Sequence, residues 1–368
     1  MSKNIKQVDH ALAYVLRICR CFVIDEPSHI IIPENISLED IWKTIQKHKV
    51  QAIVYEVDNK FNLGLPKPFR AKLNKRKTRM LMQKLFLINE MTSIQEAHKE
   101  RGMYIIPYKG IAIGIFFYKD ITQRDFNDID FAIEEKNISK SAEVMKSLGY
   151  EELKEESDFS VPNRSRSYHI DYSWVKYGDN GRVICNSEIH WQPTNSALFI
   201  PDQFKELKKA TKPTRVLTEE IQLFSKIDNA YFMILHHGLV DNWFQLRHLV
   251  DLVVALKELS SDEVSELKEK LSKANVLMAF YYGVQLSRDL LNVELDVVET
   301  PKLHFYKQYL KAFKSGEYVG KWSENKFKLF YYLLMNDNHA ARGRSLIKFL
   351  KYLLKEKKFK YLTSIKGK

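Results

Sequence analysis

Apolar residues near the start of the chain recur at helical spacing. Ala11, Val15, Ile18 and Phe22 fall on one face of a 3.6-residue period. Ser37 stands three residues before Asp40 and just ahead of Ile41, Trp42 and Ile45, which predicts a capped amphipathic helix. Pro66 and Pro68 predict the start of a long helix running to about Glu100, with Leu81, Leu85, Ile88, Met91 and Ile94 facing inward.

The period changes at Arg101-Gly102. Met103 to Pro107 reads as a short apolar strand, Lys109-Gly110 breaks it, and Ile111 to Tyr118 reads as a buried helix. A polar stretch leads to Asp128-Ile129-Asp130-Phe131-Ala132-Ile133, whose alternation predicts a half-buried strand. Ser139 to Leu148 predicts a helix stopped at Gly149. Tyr168 to Lys176 and Val183 to Trp191 alternate on either side of Gly178-Asp179-Asn180-Gly181, a β-hairpin pattern. From Thr218, backed by Glu219 and Glu220, every segment predicts helix: 218–238, 242–259, 261–273, 275–292, 300–315, 324–336 and 342–360. The expected architecture is α+β. A small mixed unit over 101–200 lies between a helical segment, 1–100, and a helical C-terminal domain, 201–368, that ends in a basic helix.

Composition alters this picture little, and charge alters it more. The 368 residues are 45% hydrophobic and 28% charged, an ordinary globular balance. Three cysteines, Cys19, Cys21 and Cys185, are too few and too scattered for a disulfide framework and suit a reducing compartment. Cys19 and Cys21 lack a second ligand pair and read as buried helix residues. The longest dense apolar run, Ile111 to Tyr118, is too short for a membrane span or a signal peptide, so the expectation is a cytoplasmic protein. The net charge of +12 is unevenly spread. Residues 342–368 carry +9 and residues 67–84 carry +8, leaving the rest of the chain mildly acidic. Each patch reads as a solvated helix face or as a surface for RNA, DNA, an anionic membrane or an anionic acceptor.

The candidate chemistry lies on acids in the body. Asp128 and Asp130 are one residue apart on a predicted strand, so their carboxylates share a face. Two carboxylates held together repel unless a cation sits between them, and hard oxygen ligands suit Mg²⁺. An isolated Asp-x-Asp also fits a solvated strand face. Here Lys109-Gly110 lies at a strand-to-helix break just upstream, and Glu188 lies on a later strand of the same unit.

This layout resembles the DNA polymerase β-like nucleotidyltransferase superfamily. The local forms Tyr108-Lys109-Gly110-Ile111-Ala112, Arg124 with Asp128-Ile129-Asp130, Leu148-Gly149-Tyr150 and Glu188-Ile189-His190-Trp191 resemble its bacterial "uncharacterised nucleotidyltransferase" family. His236-His237, Trp243, Leu246 and Asp251 resemble the helical segment which follows that family's catalytic unit. The likeness covers roughly residues 10–260. It departs from most of the superfamily at the turn, where Lys109-Gly110 replaces Gly-Ser or Gly-Gly.

The resemblance implies a small polymerase β-like mixed sheet with flanking helices, and two-metal transfer of an NMP from an NTP to an acceptor hydroxyl with release of pyrophosphate. Asp128, Asp130 and Glu188 are then the catalytic and metal-binding acids for Mg²⁺ or Mn²⁺. Lys109, Gly110 and Arg124 are the NTP-binding residues. Asp171 competes with Glu188 as third acid, and His190 shares the Glu188 face. His236 and His237 read as helix-packing residues rather than ligands. Asp251 reads as a hydrogen-bond partner between helices or as a site residue. The favoured acceptor is a small-molecule alcohol, ahead of a protein or an RNA end. The reading from a different class is a catalytically silent protein of the same fold, recruited to a polyanion through its basic helices.

Overall fold

The computed structural model describes residues 2–27, 30, 36–153, 171–194, 204–216, 218–295 and 299–315, with scattered positions between 333 and 347. Four helices come first: α1 (Ser2–Ile24), α2 (Leu38–Lys47), α3 (Gln51–Phe61) and α4 (Lys67–Glu100). The Ser37 hydroxyl accepts from the Asp40 backbone N–H and fixes the start of α2. Cys19 and Cys21 are buried on α1.

The inward face of α4 differs from the expected one. Leu73, Met80, Lys84, Leu87, Met91, Ile94 and His98 are buried, whereas Leu81 and Leu85 are exposed. The stripe follows steps of three, four and seven residues and takes a lysine into the core in place of a leucine. Lys84 is accommodated because its ammonium donates to the carbonyls of Ile121 and Arg124.

Strands β1 (Ile105–Tyr108), β2 (Ile129–Ile133), β3 (Tyr150–Glu152), β4 (Asp171–Tyr177) and β5 (Val183–His190) form one mixed sheet in the order β1-β2-β5-β4-β3. β2 and β5 run parallel, and the other neighbours run antiparallel. Helix α5 (Gly110–Phe117) follows β1, and α6 (Ile138–Ser147) precedes β3. β2 is buried on both faces rather than half-buried. Ile129, Phe131 and Ile133 pack with Leu87, Ile88 and Met91 of α4, while Ala132 joins the larger core on the opposite face. Asp130 shares the Ala132 face by the two-residue period of a strand. The β4–β5 hairpin agrees with the alternation pattern; residues 168–170 lie outside the described residues.

A second correction concerns residues 211–224. The helix expected from Thr218 is instead a hairpin of β6 (Thr211–Val216) and β7 (Glu219–Phe224). Ile221 and Leu223 are fully buried and alternate with Glu220 and Gln222, which is a strand period that outweighs a helix-start composition. The Gln95 amide locks the hairpin to β1, donating to the Ile105 and Gln222 carbonyls and accepting from the Gln222 N–H. The true helix start is Ser225, which caps α7 (Lys226–Ile234) through the Asp228 N–H.

α7 runs on into a π-helical turn, Leu235–Val240. Then come α8 (Leu246–Glu258), α9 (Ser261–Lys273), α10 (Leu277–Leu291) and α11 (Tyr306–Ser315). α9 opens on a capping box of Ser260 and Glu263. Apart from scattered positions, the expected helices 324–336 and 342–360, and with them the basic terminus, lie outside the described residues. α1 packs against α8, α10 and α11, so the first and last helices share one core. Trp243 is buried there beside Gly283, where an added Cβ would lie 2.7 Å from the indole ring. Among the described residues no helix is long and apolar enough to cross a membrane.

Candidate active site

The sheet register builds the acid cluster. Asp130 on β2 is the Cα partner of Glu188 on β5, and Asp171 on β4 is the partner of His190. Ligand atoms of Asp130, Glu188 and His190 all lie within 4.8 Å of one another. His190 Nε2 is 3.0 Å from Asp130 Oδ1 and 3.3 Å from Glu188 Oε2. Asp171 Oδ2 is 3.7 Å from His190 Nδ1, on the far side of the ring from the other two acids. Asp128 sits one residue before β2, half-buried, and lines the same cleft as Asp130 and Glu188.

Lys109 reaches this cluster by way of a strained backbone. It caps α5 with φ +54° and ψ −120°, a conformation that disfavours any residue with a Cβ and costs about 1–3 kcal/mol. Its ammonium donates to Asp130 Oδ1 at 3.0 Å and lies 3.2 Å from His190 Nε2. Burial disfavours the charge on each partner, but the Asp130 carboxylate holds the Lys109 ammonium above its ordinary range. Burial likewise opposes the Asp130 charge, and Lys109 and His190 more than offset it, holding the carboxyl well below the usual range. Asp128 goes the other way: burial, then the Asp130 and Glu188 charges, push its carboxyl up.

That imbalance tests the fit of a divalent cation. Asp128, Asp130 and Glu188 line one cleft, Lys109 is hydrogen-bonded to Asp130, and Asp128 feels the surplus negative charge. A hard cation with oxygen ligands relieves such a surplus, so the donor set suits Mg²⁺ or Mn²⁺.

Gly110 also has a packing reason. A Cβ there would stand 3.2 Å from Phe126 Cβ and 3.5 Å from Arg124. Arg124 lines the same cleft, and its side chain is tied into the protein. Its Nε and Nη2 donate to the two carboxylate oxygens of Asp251, each at 2.9 Å, and Nη1 donates to the Gly110 carbonyl at 2.8 Å. Both partners are buried, and Asp251 also accepts from the Tyr118 hydroxyl at 2.6 Å and lies 2.9 Å from His237 Nε2. Arg124 is therefore a clamp that joins the Gly110 turn to α8, and its guanidinium is committed within the protein.

The acids open onto a cleft of about 790 Å³ whose wall holds Lys72, Lys75, Arg76 and Arg79 from the first half of α4, together with Lys49 and Arg247. Among the described residues Lys75 and Arg79 pair with no acid, while the Lys72 ammonium lies over the Trp42 ring. Burial and the Arg247 guanidinium push the Lys49 ammonium down, and burial and Arg124 push Arg247 down. Lys49, Arg124 and Arg247 thus crowd one another, and the nearby carboxylates Asp128, Asp241 and Asp251 offset this only in part. The sequence had placed this charge outside the α/β unit. Its signal was nevertheless present, because positions 72, 75, 76 and 79 share one helical face.

Two solved structures resemble the chain at low identity. One is the antibiotic-resistance factor ANT(2'')-Ia in solution, with a TM-score of 0.35 and 12% identity, covering 52% of this chain and 92% of that one. The other is ANT(2'')-Ia in complex with adenylyl-2''-tobramycin, with a TM-score of 0.33 and 15% identity, covering 52% of this chain and 98% of that one. No curated protein sequence is similar enough to the chain to count as a relative. The family model described as uncharacterised nucleotidyltransferase matches residues 34–292.

Proposed function

Starting from the fact that this chain belongs to the uncharacterised nucleotidyltransferase family, we propose that it transfers an NMP from an NTP to an acceptor hydroxyl, releasing pyrophosphate. The observation that carries this reading is one cleft with both halves of the required chemistry. Asp130 on β2, Glu188 on β5 and Asp128 just ahead of β2 line it, and a row of cations from α4 stands on its wall.

Asp128, Asp130 and Glu188 would hold Mg²⁺ or Mn²⁺. Such ions, when bound, neutralise phosphate charge and lower the pKa of an attacking hydroxyl. Glu188, half-buried and on the strand next to Asp130, binds beside the acceptor or takes the proton of its hydroxyl. Lys109 releases Asp130 and turns its ammonium to a phosphate oxygen. Its ammonium stands beside the His190 imidazole on the same Asp130 oxygen. Lys75 and Arg79 neutralise the outer phosphates, and the first N–H groups of α5 face the cleft at Gly110. His190 orients Asp130 and Glu188 rather than reacting. Asp171, beyond the His190 ring, is not the third acid. Arg124 acts at one remove, by holding the turn that presents Lys109 and Gly110.

The acceptor is a small-molecule alcohol. The cleft is walled by α2, α4 and the α7–α8 segment, and its volume is in the small-molecule range. The experiment is incubation of the purified protein with each labelled NTP, Mg²⁺ or Mn²⁺, and fractionated cell extract. A labelled small molecule is expected, formed at least about a hundredfold more slowly by Asp128→Asn and by Glu188→Gln. Equal transfer by Asp128→Asn would remove the acids from the mechanism. Tight binding of RNA or DNA with no transfer would favour the catalytically silent reading.

A further inference from the structure

A second set of potential ligands lies in the same cleft, on the π-helical turn after α7. His236 Nδ1 is 3.1 Å from Asp241 Oδ2, His237 Nδ1 is 4.0 Å from the same oxygen, and the two Nδ1 atoms are 3.5 Å apart. All three residues line the cleft. Zinc-class ions bind imidazole nitrogen and carboxylate oxygen at about 2.0–2.2 Å, so adjacent ligands of a tetrahedron are about 3.3–3.6 Å apart. The triangle of donor atoms has close to that size.

The backbone explains how these residues meet. Neighbours in sequence and residues five apart do not share a face of an α-helix. Here the Asp241 N–H bonds to the His236 carbonyl at 3.0 Å, an i to i+5 closure of the widened turn. That closure brings residue 241 back over residue 236. Turns of this kind are rare and concentrate at functional sites. The spacing gives no recognisable ligand signature in the sequence, which is why the two histidines read there as packing residues.

The surroundings suit a metal. His237 Nε2 is 2.9 Å from Asp251 Oδ2, the carboxylate–imidazole contact that fixes the tautomer and leaves Nδ1 with its lone pair toward Asp241. The His248 ring stacks on His237 with centroids 4.1 Å apart and fixes its plane. His236 and Asp241 are half-buried at the cleft wall, so remaining coordination positions open to solvent or to a bound oxygen ligand.

We propose that His236, His237 and Asp241 form a binding site for one transition-metal ion of the zinc class, distinct from the acid cluster on β2 and β5. The donor balance distinguishes the two: two imidazoles with one carboxylate select zinc-class ions, whereas the other cluster sets a single imidazole, His190, among carboxylates that favour Mg²⁺. The proposal stands whether or not the protein transfers nucleotides.

The test is a Co²⁺ titration of metal-free protein read by visible absorption, since four- and five-coordinate Co²⁺ absorbs far more strongly than octahedral Co²⁺. The parent is expected to show intense bands at one equivalent, which one equivalent of Zn²⁺ abolishes. Glu188→Gln, which removes a ligand from the other cluster, keeps them. His236→Ala loses them, and Asp241→Asn weakens binding by about a hundredfold or more. His236→Gln replaces the alanine variant if its metal-free melting temperature falls. Weak octahedral absorption in the parent, bands that persist without His236, or bands that vanish in Glu188→Gln would each overturn the site.

Discussion

Asp251 has no exposed surface, yet a phenol, a guanidinium and an imidazole converge on its two oxygens. Removing one partner of such a pair leaves a buried charge without compensation, at a cost of about 3–5 kcal/mol. Arg124→Met is therefore expected to lower unfolding stability by that amount in urea titration, while Arg124→Lys recovers part of it. Asp128 and Asp130 were legible as a pair because a strand's two-residue period needs no tertiary knowledge. The partner of Arg124 was not legible. Asp251 lies 127 positions away, and no local pattern distinguishes an arginine for phosphate from one destined for a buried carboxylate.

Helix α4 serves two purposes along its length. Its second half backs the sheet, and its first half walls the cleft with cations. Its extent was readable from Pro66 and Pro68, but its orientation was not. Hydrophobicity alone ranks Leu81 and Leu85 above Lys84, and only the carbonyls of Ile121 and Arg124 make the lysine the inward residue. The β6–β7 hairpin was missed for a related reason, because Thr218 with two glutamates imitates a helix start while the true cap is Ser225. The double variant Lys75→Ala/Arg79→Ala is expected to weaken NTP binding by about tenfold at low salt and to flatten its salt dependence, with the metal-free melting temperature unchanged. Isothermal titration at several salt concentrations measures this. Unchanged NTP affinity would reduce the α4 cations to a solvated face.

Across the molecule, several histidines are buried in neutral form. Burial pushes His98 and His237 down to about 4 and His48 down to about 3. The unfolded chain takes up these protons near the ordinary value of about 6.5, and the folded chain only near the lowered values. Between those limits the unfolded state binds more protons, so stability falls as pH falls, by about 1.4 kcal/mol per pH unit for each such histidine. His190 opposes this trend. Burial and Lys109 disfavour its charge, but Asp130 and Glu188 raise it overall, so its contribution is complete below the unfolded value and is lost as pH rises through the folded one. His248 is also held well down by burial, so four groups outweigh one. Urea midpoints are expected to fall from pH 6.5 toward pH 4, with a shallower slope in His98→Gln; a flat profile would mean that these histidines are protonated without cost.

The clamp between Arg124 and Asp251 bears on how far the catalytic sheet is a portable part. A piece of chain ending before α8 would keep every proposed metal ligand on β2 and β5 and still lack the carboxylate that holds Arg124, and with it the Gly110 turn. It would also lose the wall carrying Arg247. The helices after the sheet thus belong to the minimal working unit rather than forming an appendage to it. A fragment covering residues 34–225 is expected to show no NTP-dependent rise in melting temperature, and one extended to residue 292 is expected to restore it. Autonomy of this fold would then be set by the contacts that span its two halves, the Arg124–Asp251 pair among them, and not by where the acids are encoded.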